Sequence, residues 1–184
     1  MKGKFIVILG VVVLLVALFA GTYNKLAVLD ENVDSAWAQV ENVLKRRADL
    51  IPNLVNTVKG YASHEKEVLV GITEARSRFT EAKTPEEYAQ ANEGLNTALT
   101  KLYAVVENYP ELKANQNFTE LQFELSGTEN RIATERMRYN DSVKAFNTTI
   151  RRFPTNVMAK VLGFEKRQYF EINQKDAEVP EVNF

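Results

Sequence analysis

The chain has 184 residues, with 23 Lys and Arg against 24 Asp and Glu, for a net charge of −1. That balance excludes the basic excess of a nucleic-acid-binding protein. It has no cysteine and one histidine, which excludes disulfides, thiolate metal sites and multi-histidine metal sites. Sparse glycine and proline among mixed charges suit long helices.

Phe5 to Tyr23 is uncharged and almost wholly apolar. As a helix at ~1.5 Å per residue it spans roughly 28 Å, close to the ~30 Å hydrocarbon core of a bilayer. Phe5, Gly21 and Tyr23 mark this expected transmembrane segment, with Tyr23 at the position of an interfacial aromatic anchor. The competing reading is a cleaved signal peptide. The run is long for that, and Leu18-Phe19-Ala20 lacks a small residue three back from the cut. Lys2 and Lys4 precede the run, and only Lys25 follows closely before Asp30 and Glu31. The positive-inside rule then predicts a cytoplasmic N-terminus and a domain outside.

Asn24 to Tyr61 continues as an amphipathic helix without a linker. Leu26, Val33, Val40, Arg47 and Leu54 recur every seven residues, and Trp37, Leu44, Ile51 and Val58 form the second row. Pro52 predicts a kink rather than a stop, because the stripe keeps its phase across it. Gly60-Tyr61-Ala62-Ser63 is the first plausible turn, with Ser63 as a cap for a second helix. The heptad phase nevertheless survives through Val68, Ile72, Ala75 and Phe79, so one helix running to residue 82 stays open. Lys83 ends this stretch. Thr84-Pro85-Glu86-Glu87 is a helix start with a capping box. The third helix carries Tyr88, Ala91, Leu95, Ala98, Leu102, Val105 and Tyr109 on its apolar face, and Pro110 stops it. A polar connection over Glu111 to Asn117 leads to a fourth helix, about Phe118 to Arg152. Phe118, Leu125, Ile132, Tyr139, Phe146 and Phe153 lie seven apart there.

The expected fold is all-α: an N-terminal transmembrane helix followed by an up-and-down four-helix bundle of long helices. It divides into a membrane anchor (1–23), a bundle (24–154), an apolar and basic closing segment (155–172) and a disordered polar tail (173–184).

The runs RRADLIPNLVNTVKGYASHE (46–65), NFTELQFELSGTENRIATERMRYNDSVKAFNTTIRRFP (117–154) and GFEKRQYFE (163–171) closely resemble the LemA family of bacteria. So does the layout of a membrane segment followed by Tyr23-Asn24 and Ala36-Trp37-Ala38-Gln39-Val40-Glu41. The resemblance implies a helical bundle tied to a bacterial membrane, and it implies no settled activity.

Single residues add little chemistry. His64-Glu65 falls at a turn, without the further ligands a zinc site needs. Glu120, Glu124, Glu129 and Glu135 lack the Glu-x-x-His pairs of a di-metal bundle. Lys45 and Arg46 read as a solvated face. Arg47 differs, because the seam calls for an apolar residue there. A buried charge must be paired, and levelling Asn24 with Arg152 sets Arg47 against Glu129 and Asn130, and Trp37 against Tyr139. Arg47, Glu129 and Asn130 are therefore expected to form a structural polar layer. Lys160, Phe164, Tyr169 and Phe170 are candidates for docking on a membrane or partner, unless the segment folds back on the bundle end.

The expected function is a non-catalytic scaffold, single-pass in the bacterial inner membrane, binding other membrane proteins or copies of itself. No cofactor, small-molecule substrate or nucleic acid is expected. A cell-envelope hydrolase using bundle carboxylates and a lipid-binding coat are the alternatives.

Overall fold

The computed structural model describes residues 2–171; the expected disordered tail lies outside the described residues. The chain is all-α, with no strand among the described residues. Among these residues six helices follow in order: α1 Lys2–Lys59, α2 Lys66–Glu81, α3 Pro85–Val106, α4 Pro110–Lys113, α5 Gln116–Arg151 and α6 Thr155–Leu162. Two compact units divide it, one of Met1–Gln39 and Met137–Gln168, the other of Val40–Arg136 and Tyr169–Phe184.

α1 is a single helix of 58 residues with Pro52 inside it. It ends at Lys59, so a helix running on to residue 82 is excluded. The stop is a turn in which the Tyr61 and Ala62 amides donate to the Val58 carbonyl, while Ala62 is buried. The cap of α2 is Glu65, which makes no side-chain capping bond; Ser63 lies outside the helix and does not serve. α3 begins as its sequence dictates. Thr84 accepts from the Glu87 amide, and the Glu87 carboxylate accepts from the Thr84 and Lys83 amides. These bonds hold the Glu87 carboxyl below its ordinary range. α3 ends at Val106, before Pro110, and Pro110 opens the one-turn α4 instead of terminating α3.

In the second unit, Val40, Leu44, Ile51, Leu54 and Val58 of α1 are buried, as are Leu69, Ile72, Ala75 and Phe79 of α2. α3 contributes Tyr88, Leu95, Leu99, Leu102 and Val106, and α5 contributes Phe118, Leu125 and Ile132. This is bundle-like packing: apolar stripes of near-seven spacing remove one face of each helix from water. Ala91 is buried as expected, but Asn92 is buried beside it, and farther along the helix Leu99 and Val106 take the core positions expected of Ala98 and Val105. In the first unit, Leu26 and Val33 of α1 and Tyr139, Val143 and Phe146 of α5 are buried. Trp37 and Tyr139 meet with ring centroids 5.1 Å apart. Phe153 leaves the stripe: α5 stops at Arg151 and Phe153 is 83% exposed.

Candidate functional site

Two polar constellations stand out, one in each unit. Arg47 sits on the apolar face of α1 because its position continues the heptad row, and it is 3% exposed. Its guanidinium donates to Asn92 Oδ1 at 2.6 Å, to Asn96 Oδ1 and to the Glu129 carboxylate. Burial pushes the Arg47 pKa down from its ordinary value, and the Glu129 charge opposes that shift. Two donors, Arg47 Nε and Asn92 Nδ2, lack an acceptor. The layer thus joins α1, α3 and α5. Glu129 stands against Arg47, whereas Asn130 is exposed on the far side of α5. Its carbonyl merely accepts from Thr134 within that helix. Asn92 and Asn96 of α3 take the place assigned to it. The signal for Asn92 was present in the sequence: Tyr88, Asn92, Leu95, Leu99 and Leu102 alternate by four and three, so Asn92 is a seam residue as Arg47 is.

A second polar bond accompanies Pro52. Proline has no amide hydrogen, so the carbonyl four residues back, Ala48, loses its helical donor. Arg76 Nε of α2 donates to that carbonyl at 3.0 Å. Nearby, Arg46 pairs with Glu124 at 2.9 Å on the surface, and Lys45 lies 3.9 Å from Glu41 of the same helix. Of the α5 carboxylates, Glu124 and Glu129 thus pair with cations of α1, and Glu120 accepts from Gln116 of its own helix. His64 is exposed in the turn, and Glu65 accepts from the Tyr109 hydroxyl at 2.9 Å.

In the first unit, the segment after α6 is tied down. Gly163 adopts φ +76, a left-handed conformation that favours glycine, and the Phe164 amide reaches back to the Ala159 carbonyl. Asn147 of α5 brackets the Arg167 backbone, accepting from its amide and donating to its carbonyl, each at 2.9 Å. The Tyr139 hydroxyl donates to the Gln168 carbonyl at 2.7 Å. The Arg167 guanidinium spans Asp30 and Asp34, one turn apart on α1. Asn147, Asp30 and Asp34 were not singled out from the sequence; an acidic pair at i, i+4 is too common on solvated helices to signal a clamp.

Of the expected docking residues, Lys160 is exposed, Tyr169 is half-buried and Phe170 is fully buried. Phe164 packs between Tyr23 and Phe146, with ring centroids 6.4 and 6.2 Å away. Phe164 and Phe170 are therefore inward anchors, because covering an aromatic ring is worth more than leaving it in water. At the N-terminus, Phe5, Gly21 and Tyr23 are all exposed. The apolar stretch of α1 is long and apolar enough to cross a membrane, and none of it is buried against the protein. Among the described residues no cluster of three or more His, Asp or Glu could hold a metal ion. A surface groove of about 630 Å³ lies between α2 and α3, with Gly71 and Gly94 lowering its floor and Val70 on its rim.

Comparison with known proteins adds identity to this geometry. The LemA family model matches residues 36–184. The chain is similar to magnetosome protein MamQ 2 of Paramagnetospirillum magneticum, 26% identical over 87% of this chain and 68% of that protein. It is likewise similar to magnetosome protein MamQ of Magnetospirillum gryphiswaldense, 24% identical over 92% of this chain and 73% of that protein. Protein LemA of Metamycoplasma hominis is 26% identical over 89% of this chain and 77% of that one.

Proposed function

We propose a membrane-tethered, non-catalytic helical scaffold as the function of this chain, which belongs to the LemA family. The observation that carries the reading is the continuity of α1: the exposed apolar stretch and the first packed helix are one helix from Lys2 to Lys59. An apolar stretch of this length in water would be a severe liability, and a bilayer removes it. Residues 1–23 are then the anchor, 24–154 the helical body and 155–172 the segment that closes it. The membrane is a bacterial inner membrane, with the N-terminus in the cytoplasm and the domain outside. The partners are other membrane proteins or further copies of the chain. Support for a binding role comes from the surface: Phe123 is 78% exposed on α5, and Val70 is 54% exposed beside the groove between α2 and α3. The relatives' names denote no reaction, and the Arg47 guanidinium is held by Asn92, Asn96 and Glu129 of the neighbouring helices.

Photocrosslinking in the native membrane tests this. A photoreactive residue at Phe123 or Val70 should give adducts of discrete mass, and one at the exposed Glu31 should not. If neither Phe123 nor Val70 gave an adduct, the scaffold reading would fail.

A further inference from the structure

α6 is covered on one side only. Ala159 is buried, with Met158 and Leu162 half-buried beside it, while Val157, Lys160 and Val161 share the opposite, exposed face. Val157 is 55% and Val161 75% exposed. Phe153, in the turn before the helix, adds a large aromatic ring to the uncovered surface. Basic side chains accompany them: Arg151, Arg152, Lys160 and Lys166 are exposed, and Glu165 is the only acid from 151 to 166.

The position of this surface along α1 identifies what covers it. From the Trp37–Tyr139 contact, α1 runs ~21 Å to Tyr23, and α5 runs ~18 Å in the same direction to Arg151. The other end of α6 is held by Phe164, which touches Tyr23. Both ends of α6 therefore lie within about two helical turns of Tyr23, where the apolar run of α1 stops. A small apolar face ringed by cations at that level matches the boundary between headgroups and acyl chains.

We propose that α6 is an interfacial helix: Phe153, Val157 and Val161 enter the outer part of the bilayer beside the anchor, and the surrounding basic groups contact anionic headgroups. This rests on the membrane span proposed above and adds a second, lipid-sensitive contact to it. Eight residues alone bind a membrane poorly. Tethering by α1 makes the contact intramolecular, so little affinity is needed for it to be occupied. The contact would fix the rotation of α1 about its axis, since α6 can meet the surface from one side only.

The absence of cysteine makes the test direct. Full-length Val157→Cys and Val161→Cys are labelled with an environment-sensitive dye and reconstituted in phosphatidylcholine vesicles, with and without phosphatidylglycerol. Phe19→Cys serves as the reference in lipid and Met137→Cys, 61% exposed on α5, as the reference in water. Blue-shifted emission at 157 and 161 is expected. Lipids carrying a nitroxide near the headgroup should quench it several-fold more than at 137, and more strongly with phosphatidylglycerol present. Emission like that at 137 would overturn the proposal. A blue shift without nitroxide quenching would also overturn it, showing protein rather than lipid over α6. Loss of quenching at 19 would instead remove the membrane span itself.

Discussion

At the residue scale, Arg47 and Tyr139 allow the sharpest tests. Arg47→Ala leaves the Glu129 carboxylate and two asparagine carbonyls without their donor. It should destabilise the chain by ~3–5 kcal/mol, the range for breaking a buried pair, measured by chemical denaturation of the full chain in detergent. Replacing both charges, as Arg47→Met with Glu129→Leu, should recover only part of that loss. Asn92 would still face an apolar side chain, at ~1–3 kcal/mol for an unsatisfied buried group, whereas the half-buried Asn96 can turn to water. Recovery should approach completion when Asn92 also becomes leucine. Tyr139 provides a pH signature. Burial pushes its hydroxyl up to about 12, with Asp34 adding to the shift and Arg167 opposing it, against about 10 in the unfolded chain. A folded value above the unfolded one gives stability that is complete below pH ~10 and is lost as pH rises toward ~12. Tyr139→Phe lacks both the bond to the Gln168 carbonyl and the titration. It should be ~1 kcal/mol less stable at neutral pH, and the gap should narrow between pH ~10 and ~12 in denaturation series.

At the scale of elements, the helix ends and the proline decide most. Thr84→Ala removes the acceptor for the Glu87 amide and should cost ~1 kcal/mol. The bond between Arg76 and the Ala48 carbonyl exists because Pro52 frees that carbonyl. Arg76→Ala should therefore cost ~1–3 kcal/mol in the natural chain. In a Pro52→Ala background, where the residue 52 amide can take the Ala48 carbonyl, the same change should cost measurably less. A double-mutant cycle by thermal melting reads this coupling directly, and additivity of the two changes would show that Arg76 is not compensating for the proline.

For the whole molecule, the testable matter is orientation. A reporter that is active only outside the cytoplasm, fused after Phe184, should be active, because Lys2 and Lys4 outweigh Lys25 across the apolar run. A stable but inactive fusion would reverse the assignment. The same fusion would also place Phe153 and α6 on the opposite leaflet.

Periodicity and capping residues determined the all-α class, the buried rows of α1 and α5 and the start of α3. These depend on spacing within one helix, or on side chains bonding three residues away, and such local rules are written in the order of residues. The turn after Lys59 and the phase of α3 were not legible in this way. A heptad pattern can continue across a turn, and whether Ala98 or Leu99, and Val105 or Val106, enters the core is resolved only by the facing helices. The partners of Arg47 were half legible: a seam arginine demands acceptors, and a register argument reached Glu129, but the amides of Asn92 and Asn96 depend on how α3 approaches. The inward turn of Phe164 and Phe170 was decided by tertiary structure in the same sense. An aromatic segment beside basic residues suits a membrane face or a core equally well. The difference is made by Asn147, Asp30 and Asp34, which hold the Arg167 segment against α5 and α1 and leave α6 to present its valines outward.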